Sequence, residues 1–223
     1  MLRRSVLFTL AAALGTCGLV GALHLPAARP LLSWVASSVG CPVSLDGGDA
    51  ATLEAHRIVV ARSRAGVGSA KGRPALAFEL GTTVRPTVQA WLSARNAACE
   101  EWSSGAVLRC RIERGGARDV TLDAHLQFDE RDRLVAVDLW HAARPAAESI
   151  AALSALSNVV TRTVGAPTLA SGPLDGAYLQ ARPFRRVARD YRYADYIARL
   201  SATNLGRRGF RLREQYQWVP PST

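Results

Sequence analysis

Catalytic and cofactor motifs are what this chain of 223 residues most clearly lacks. It has no Gly-x-Ser-x-Gly nucleophile elbow, no Walker loop, no His-Glu-x-x-His motif, no EF-hand loop and no dinucleotide fingerprint. It also has no Cys-x-x-Cys pair with a histidine at ligand spacing, which argues against a zinc site. We therefore expect no cofactor and no metal ion, and a protein that is not an enzyme is favoured.

Lysine is almost absent, because Lys71 is the only lysine among 28 basic residues. A formal net charge of +10 would normally suggest an anionic partner. The chain is rich in Ala, Arg, Gly and Leu, however, which indicates a preference for GC-rich codons rather than selection for binding. The charge alone does not predict a nucleic-acid surface.

The N-terminal residues predict export. Arg3 and Arg4 precede an uncharged apolar run over residues 5–23, the arrangement of a positive n-region and a hydrophobic h-region. The run approaches the ~20 residues that span a bilayer, and the arginines before it place the rest of the chain outside the cytoplasm. An uncleaved anchor, cleavage near residues 20–22 and a lipoprotein modified at Cys17 all stay open. We expect an envelope protein, either anchored in the inner membrane with a periplasmic domain or secreted to the periplasm.

Four segments follow along the chain. They are a signal peptide or membrane anchor (1–23), a proline-containing juxtamembrane linker (24–48), a first helix-plus-meander unit (49–144) and a second such unit (145–223).

The first unit combines helical and period-2 patterns. Asp49 can cap a helix that ends near Arg64, and apolar residues at helical spacing predict a second helix over 84–96. Alternation then predicts three strands, at 108–113, 120–128 and 135–140, with turns at Gly115-Gly116 and 129–132. This pattern is typical of a helix packed on one face of an antiparallel meander.

The second unit repeats the plan. A helix is predicted over 146–164, ended by Gly165, and strands are predicted over 185–193, 195–203 and 210–219. The predicted fold class is therefore α+β, a helix on an antiparallel β-meander, with an N-terminal hydrophobic anchor helix. Helix then meander, twice, suggests a duplication.

The stretches "LGTTVRPTVQAWL" and "LQFDERDRLVAVDLW" are similar to parts of a known domain. With the strand pair between them, residues 80–140 resemble the helix-plus-hairpin domains of SmpA/OmlA-type outer-membrane assembly lipoproteins. This resemblance implies an envelope context and an α+β core, and it implies no enzyme activity. The paired cysteines and the second unit depart from that domain.

Cys99 and Cys110 bracket a short polar stretch. Cys99 is placed at the end of the 84–96 helix, and alternation turns Cys110 toward the core. An oxidised pair is the default outside the cytoplasm, so we expect a Cys99–Cys110 disulfide that pins this helix to the first meander strand. Cys41 is left over, either as a buried thiol or as a competitor for one of the other two.

Asp123, His125 and Asp138 lie on the polar face of the first meander. A turn centred near Arg131 would pair Asp123 with Asp138 and His125 with Ala136. Closing the preceding hairpin at Gly115-Gly116 would bring Arg109 beside Asp123. Two carboxylates with a nearby histidine are typical of an acid–base site. The alternative is a solvated ladder of charges, with His141 facing the core opposite Val120.

The second unit interleaves arginines with Tyr191, Tyr193 and Tyr196. An arginine–aromatic sheet can stack nucleobases, but in an exported protein the partners to expect are anionic glycans, lipid headgroups or a protein. The simpler alternative is that the aromatics form one face and the arginines the solvated face. Two functions follow. The first is a non-enzymatic envelope protein that binds a partner protein or an anionic envelope component through the sheet of its second unit. The second is a small hydrolase that uses Asp123, His125 and Asp138, or an unpaired Cys41.

Overall fold

The computed structural model describes residues 50–114 and 120–221. They belong to the compact unit Asp49–Thr223. Its helices are α1 (Ala50–Arg64), α2 (Arg85–Ser93), α3 (Ala146–Val164) and α4 (Gly176–Gln180), with a 3-10 turn at Gly206–Arg208. Its strands are β1 (Pro74–Ala75), β2 (Phe78–Glu79), β3 (Ala98–Trp102), β4 (Val107–Arg114), β5 (Val120–Phe128), β6 (Leu134–His141), β7 (Leu169–Ser171), β8 (Arg186–Arg192), β9 (Tyr196–Asn204) and β10 (Phe210–Trp218).

Eight strands form one antiparallel sheet in the order β3-β4-β5-β6-β10-β9-β8-β7, and β1 pairs with β2 in a separate hairpin. Each half of the sheet is a four-stranded meander preceded by a helix, α2 for the first and α3 for the second. The last strands of the two meanders, β6 and β10, pair at the centre. The α+β fold class is confirmed, and the duplication stays a prediction.

The inner face of the sheet carries the core. Alternate residues of every long strand point to it, because side chains alternate with a period of two along a strand. Leu126, Leu139 and Leu200 are fully buried there. α2 contributes Val88 and Leu92 to the same core, and α3 contributes Leu153 and Val160.

The outer face is polar and carries α1 at one side. Ala61 of α1 clusters with Ile197 and Val219. The buried Arg57 forms an ion pair with Glu54, and its Nη1 donates to the Trp218 carbonyl oxygen at 2.5 Å. α1 is therefore held by a small apolar contact and one buried guanidinium. The N-cap role predicted for Asp49 lies outside the described residues.

The end of α2 differs from the prediction. The helix stops at Ser93, and Asn96 has a left-handed φ of 51° that turns the chain into β3. Cys99 consequently lies in β3 rather than at a helix end, so the predicted helix-to-sheet link was wrong in its location. All five residues of β3 are exposed, because it is an edge strand. Its sequence therefore has no alternating apolar pattern from which a strand could be predicted.

Candidate functional site

A groove of about 820 Å³ lies on the outer face, where β4, β5 and β6 approach the turn between β9 and β10. We call it the arginine groove, because four arginines line it. Its walls are formed by Ala98, Cys99, Glu100, Arg109, Cys110, Arg111, Asp123, Ala124, His125, Trp140, Leu205, Arg208 and Arg211.

Two of the arginines come from β4. Arg109 and Arg111 flank the buried Cys110, so the alternation of the strand sends both guanidinium groups to the outer face. Arg109 lies over the Trp102 ring at 4.1 Å, and its buried Nε has no hydrogen-bond partner among the described residues. Arg111 is 67% exposed and lies 3.6 Å from Asp123, an ion pair that contributes little in water.

The other two arginines come from the β9–β10 connection. Asn204 closes this turn, because its side-chain oxygen accepts from Gly206 N at 2.8 Å and its amide donates to the Leu179 carbonyl at 3.1 Å. The turn presents Arg208, whose side chain makes no hydrogen bond or ion pair with any described residue. Arg211 follows on β10 and donates to the backbone oxygen of His141 at 3.1 Å. No side-chain carboxylate neutralises either cation within the described part of the chain.

The predicted register of the first meander was wrong by two residues. His125 lies opposite Asp138, and Asp123 lies opposite Trp140. The register shift at Gln127 and Phe128 accounts for one of the two residues, and the turn before Leu134 accounts for the other. A bulge of this kind adds a residue to one strand and displaces every pair beyond it. Asp123 and Asp138 are therefore not directly opposed across the two strands.

The three predicted acid–base residues do not form a hydrogen-bonded set. Asp138 accepts two bonds from Arg213, at 2.8 and 2.5 Å, and the same guanidinium lies 4.1 Å over the Trp140 ring. His125 is exposed and makes no side-chain hydrogen bond with a described residue. It does line both the arginine groove and a neighbouring cavity beneath α1 that Asp138 also lines.

Opposite Arg109, the β4–β5 register also differs from expectation. Arg109 pairs with His125, and Arg111 pairs with Asp123, whereas the prediction brought Arg109 beside Asp123. The prediction closed that hairpin at Gly115-Gly116, which lies outside the described residues.

His141, Glu214 and Tyr216 form a buried polar cluster on the inner face, of which only His141 was predicted to face the core. His141 faces the core, as predicted, but lies opposite Leu122 rather than Val120. Its Nε2 lies 2.5 Å from Glu214 Oε1, and Tyr216 donates to Glu214 Oε2 at 2.5 Å. Burial, and then the charge of Glu214, raise the pKa of Tyr216 well above its usual value. The strand parity of β10 points to Glu214, since it shares a face with the apolar positions 212 and 216.

The tyrosines of the second unit lie on the inner face, and its strand arginines lie on the outer face apart from Arg189, which pairs with the buried Leu200. Tyr191 and Tyr196 are fully buried on the inner face, and Tyr193 is half-buried. Their hydroxyls are bonded internally, Tyr191 to Ser157 and Tyr193 to the Val164 carbonyl. The three side chains are therefore used for packing and are not free to stack on a ligand.

Asp190 organises the arginines of β8 and β9 on the outer face. Arg199 donates to both of its oxygens, at 2.7 and 2.6 Å, and Arg192 donates at 3.1 Å. Burial opposes ionisation of Asp190, but these hydrogen bonds prevail and lower its pKa below the ordinary value. The bond to Asp190 raises the pKa of Arg199.

The predicted disulfide joins Cys99 and Cys110, which face each other directly across β3 and β4 with their Cα atoms 4.1 Å apart. Directly opposed residues of a non-hydrogen-bonded antiparallel pair have this close spacing. The bridge therefore ties the edge strand to the sheet. Cys17 and Cys41 lie outside the described residues.

Among the described residues, no three His, Cys, Asp or Glu side chains cluster in a way that could hold a metal ion. None of the helices in this part of the chain is both long and apolar enough to cross a membrane, and the predicted anchor at 5–23 lies outside it. Comparisons with protein-family models, with curated proteins and with solved structures each return no match. The resemblance to SmpA/OmlA-type domains stays a prediction.

Proposed function

We propose that this protein is a non-enzymatic component of the cell envelope that binds an anionic envelope ligand in the arginine groove. The envelope location rests on the export pattern of Arg3, Arg4 and residues 5–23. The ligand class rests on the charges of the groove. A membrane tether through residues 5–23 would hold the groove outside the cytoplasm, where glycans and lipid headgroups supply carboxylates and phosphates.

The observation that carries the proposal is the excess of cations in one concave site. Four arginines line the groove against two carboxylates, Glu100 and Asp123. Arg208 has no partner for its side chain among the described residues, and Arg211 is bonded only to a backbone oxygen. Guanidinium groups bind carboxylates and phosphates through charge-assisted, bidentate hydrogen bonds. An anion in the groove would relieve the repulsion among these cations.

An acidic surface on a partner protein offers the same carboxylates. The groove is lined by residues of five strands and one turn, and a protruding acidic loop could occupy it as well as a small anion. A free anion that binds with measurable affinity supports the glycan or headgroup alternative, whereas binding seen only with a protein would favour the partner.

A hydrolase is the second candidate, because Asp123 and His125 both line the groove. The bonding pattern of the carboxylates is unfavourable to it. Arg213 holds Asp138 through two hydrogen bonds, and Asp123 lies opposite Trp140 and is ion-paired with Arg111 rather than hydrogen-bonded to His125. A general base must lie within hydrogen-bond reach of its substrate and be oriented by a neighbour. Loss of a measurable hydrolytic activity in His125→Ala, with binding unchanged, would favour this candidate.

Calorimetric titration of the full chain with digalacturonate, a short dianion, tests the proposal. The double variant Arg111→Gln/Arg208→Gln should weaken binding by about tenfold, because each lost charge-assisted hydrogen bond contributes to affinity. Arg162→Gln is the matched control, since Arg162 is exposed in the last turn of α3, on the opposite side of the sheet. Equal affinities for the double variant and the control would contradict the groove assignment.

The envelope location has a separate test. A reporter fused after Thr223 should be active only outside the cytoplasm. A fusion that is active in the cytoplasm alone would overturn the export part of the proposal.

A further inference from the structure

The cations of the outer face do not stop at the arginine groove. Arg213 lies next to Arg211 along β10, Arg199 follows on β9, and Arg186 and Arg192 lie on β8. The strand register places all of them on the outer face, because they and their cross-strand partners have the same parity along the strands. The pairs are Arg213 with Ser201, Arg199 with Gln215, Arg186 with Thr203 and Arg192 with Ile197. The arginines therefore form a band, from Arg111 to Arg186, that crosses the strands. We call it the arginine track.

The length of the track follows from strand spacing. Arg111 is on β4 and Arg186 is on β8, and the strands between them are β5, β6, β10 and β9. Five spacings of about 4.8 Å give a span of roughly 24 Å. A single carboxylate or phosphate group covers only a small part of that distance.

Cations outnumber carboxylates along the whole track. Among the described residues, the groove and the outer face carry eight arginines, namely Arg109, Arg111, Arg186, Arg192, Arg199, Arg208, Arg211 and Arg213. Among the side chains that the structure describes on these strands, the carboxylates of the same face are Glu100, Asp123, Asp138 and Asp190. About half of the positive charge is thus uncompensated. Burial, and then the charge of Arg199, lower the pKa of Arg186, and Arg213 adds to this effect, so these cations are close enough to repel one another.

We infer that the ligand is a linear anionic polysaccharide that lies across the strands and contacts the track from the arginine groove to Arg186. This inference rests on the proposed function and specifies its ligand. A chain with a carboxylate on successive sugars would meet a guanidinium group at intervals along the 24 Å span. Thr203, a neutral hydrogen-bonding side chain that suits a sugar hydroxyl, lies half-buried on the same face, opposite both Arg186 and Arg211.

A single-stranded nucleic acid, the other linear polyanion, fits this surface less well. Its affinity for proteins depends on aromatic side chains that stack with the bases. Tyr191, Tyr196 and Tyr216 are buried on the inner face. The outer-face rings of Trp102 and Trp140 each have an arginine over one face, Arg109 at 4.1 Å and Arg213 at 4.1 Å.

The test is a length series of oligogalacturonates, from the disaccharide to chains that exceed the track, titrated into the full-length protein. Affinity should rise with length until the track is covered and then level off. The slope of log affinity against log salt should steepen over the same range, because each additional contact releases counterions.

Variants at the two ends of the track separate this inference from the proposed function. Arg186→Gln should weaken the affinity for long oligomers by about threefold, because a partly exposed ion pair contributes modestly to binding. The affinity for the disaccharide should be unchanged. Arg111→Gln should weaken both, and Arg162→Gln should affect neither. Equal affinity at all lengths, with an effect of Arg111→Gln alone, would retain the groove and refute the track. Failure of every oligomer to bind would refute both.

An oligodeoxythymidylate of similar length is the last arm of the experiment. The polysaccharide should bind more tightly than this oligonucleotide at equal salt. Tighter binding of the oligonucleotide would overturn the assignment of the ligand as a polysaccharide.

Discussion

The cross-strand disulfide gives the most quantitative prediction. Cys99 and Cys110 close a loop with a sequence separation of 11 residues. On the chain-entropy account, a loop of this size stabilises the folded state by about 3 kcal/mol. β3 contributes little else, because all five of its residues are exposed and it pairs only with β4 among the described strands.

Chemical denaturation of the oxidised and reduced protein measures this contribution. The chain should carry Cys17→Ser and Cys41→Ser, so that reduction breaks only the Cys99–Cys110 bond. Reduction should lower the free energy of unfolding by about 3 kcal/mol and the melting temperature by roughly 6–12 °C for a domain of this size. Both cysteine side chains stay in place after reduction, so packing changes little. The loss of unfolding free energy therefore measures the contribution of the cross-link.

The location of the loss provides a control within the same experiment. Amide hydrogen exchange should accelerate in β3 (Ala98–Trp102) after reduction and stay slow in β9 (Tyr196–Asn204), which lies inside the sheet. A change below about 1 kcal/mol, or faster exchange spread evenly over the sheet, would refute the view that the bridge retains an otherwise weak edge strand.

Three smaller predictions concern side chains on the two faces of the sheet. Because the pKa of Asp190 is lowered in the folded state, its contribution to the free energy of unfolding is complete above the unfolded-state pKa of about 3.9. That contribution is lost as the pH falls through the folded-state pKa. The stability difference between wild type and Asp190→Asn should therefore shrink in acid; a difference that does not change with pH would oppose a role for Arg199. Tyr216→Phe should cost about 1–3 kcal/mol in urea unfolding, because Glu214 Oε2 loses its buried donor; no loss would mean that water reaches this carboxylate. Asp123→Asn should change the unfolding free energy by less than about 0.5 kcal/mol, since Asp123 is 52% exposed; a large loss would show that this face is not solvated.

Local patterns predicted most of the elements. The helix 146–164 begins and ends at the predicted residues, because its apolar positions recur at helical spacing and Gly165 follows with a positive φ. The strands of the second unit agree with β8, β9 and β10 to within two residues. Period-2 alternation also placed Arg109 and Arg111 on the outer face.

Features that depend on pairing between distant strands could not be predicted in this way. The β3 strand was missed, since an exposed edge needs no apolar side. The register of β5 and β6 was wrong by two residues, because the turn differs by one residue from the predicted one and an irregularity at Gln127 and Phe128 adds a second. The arginine groove is completed by Arg208 and Arg211, which reach it only because β10 pairs with β6 at the centre of the sheet.

The most direct test of the central claim is a map of backbone amide chemical shifts while a long oligogalacturonate is titrated into the full chain. The largest changes should fall on β4, β5, β10 and the turn at Gly206–Arg208, and should extend to β8 as the oligomer lengthens. Amides of α3 (Ala146–Val164), on the opposite side of the sheet, should stay unchanged. Shifts centred on α3, or no saturable shifts at all, would contradict the assignment of the outer face as the binding surface.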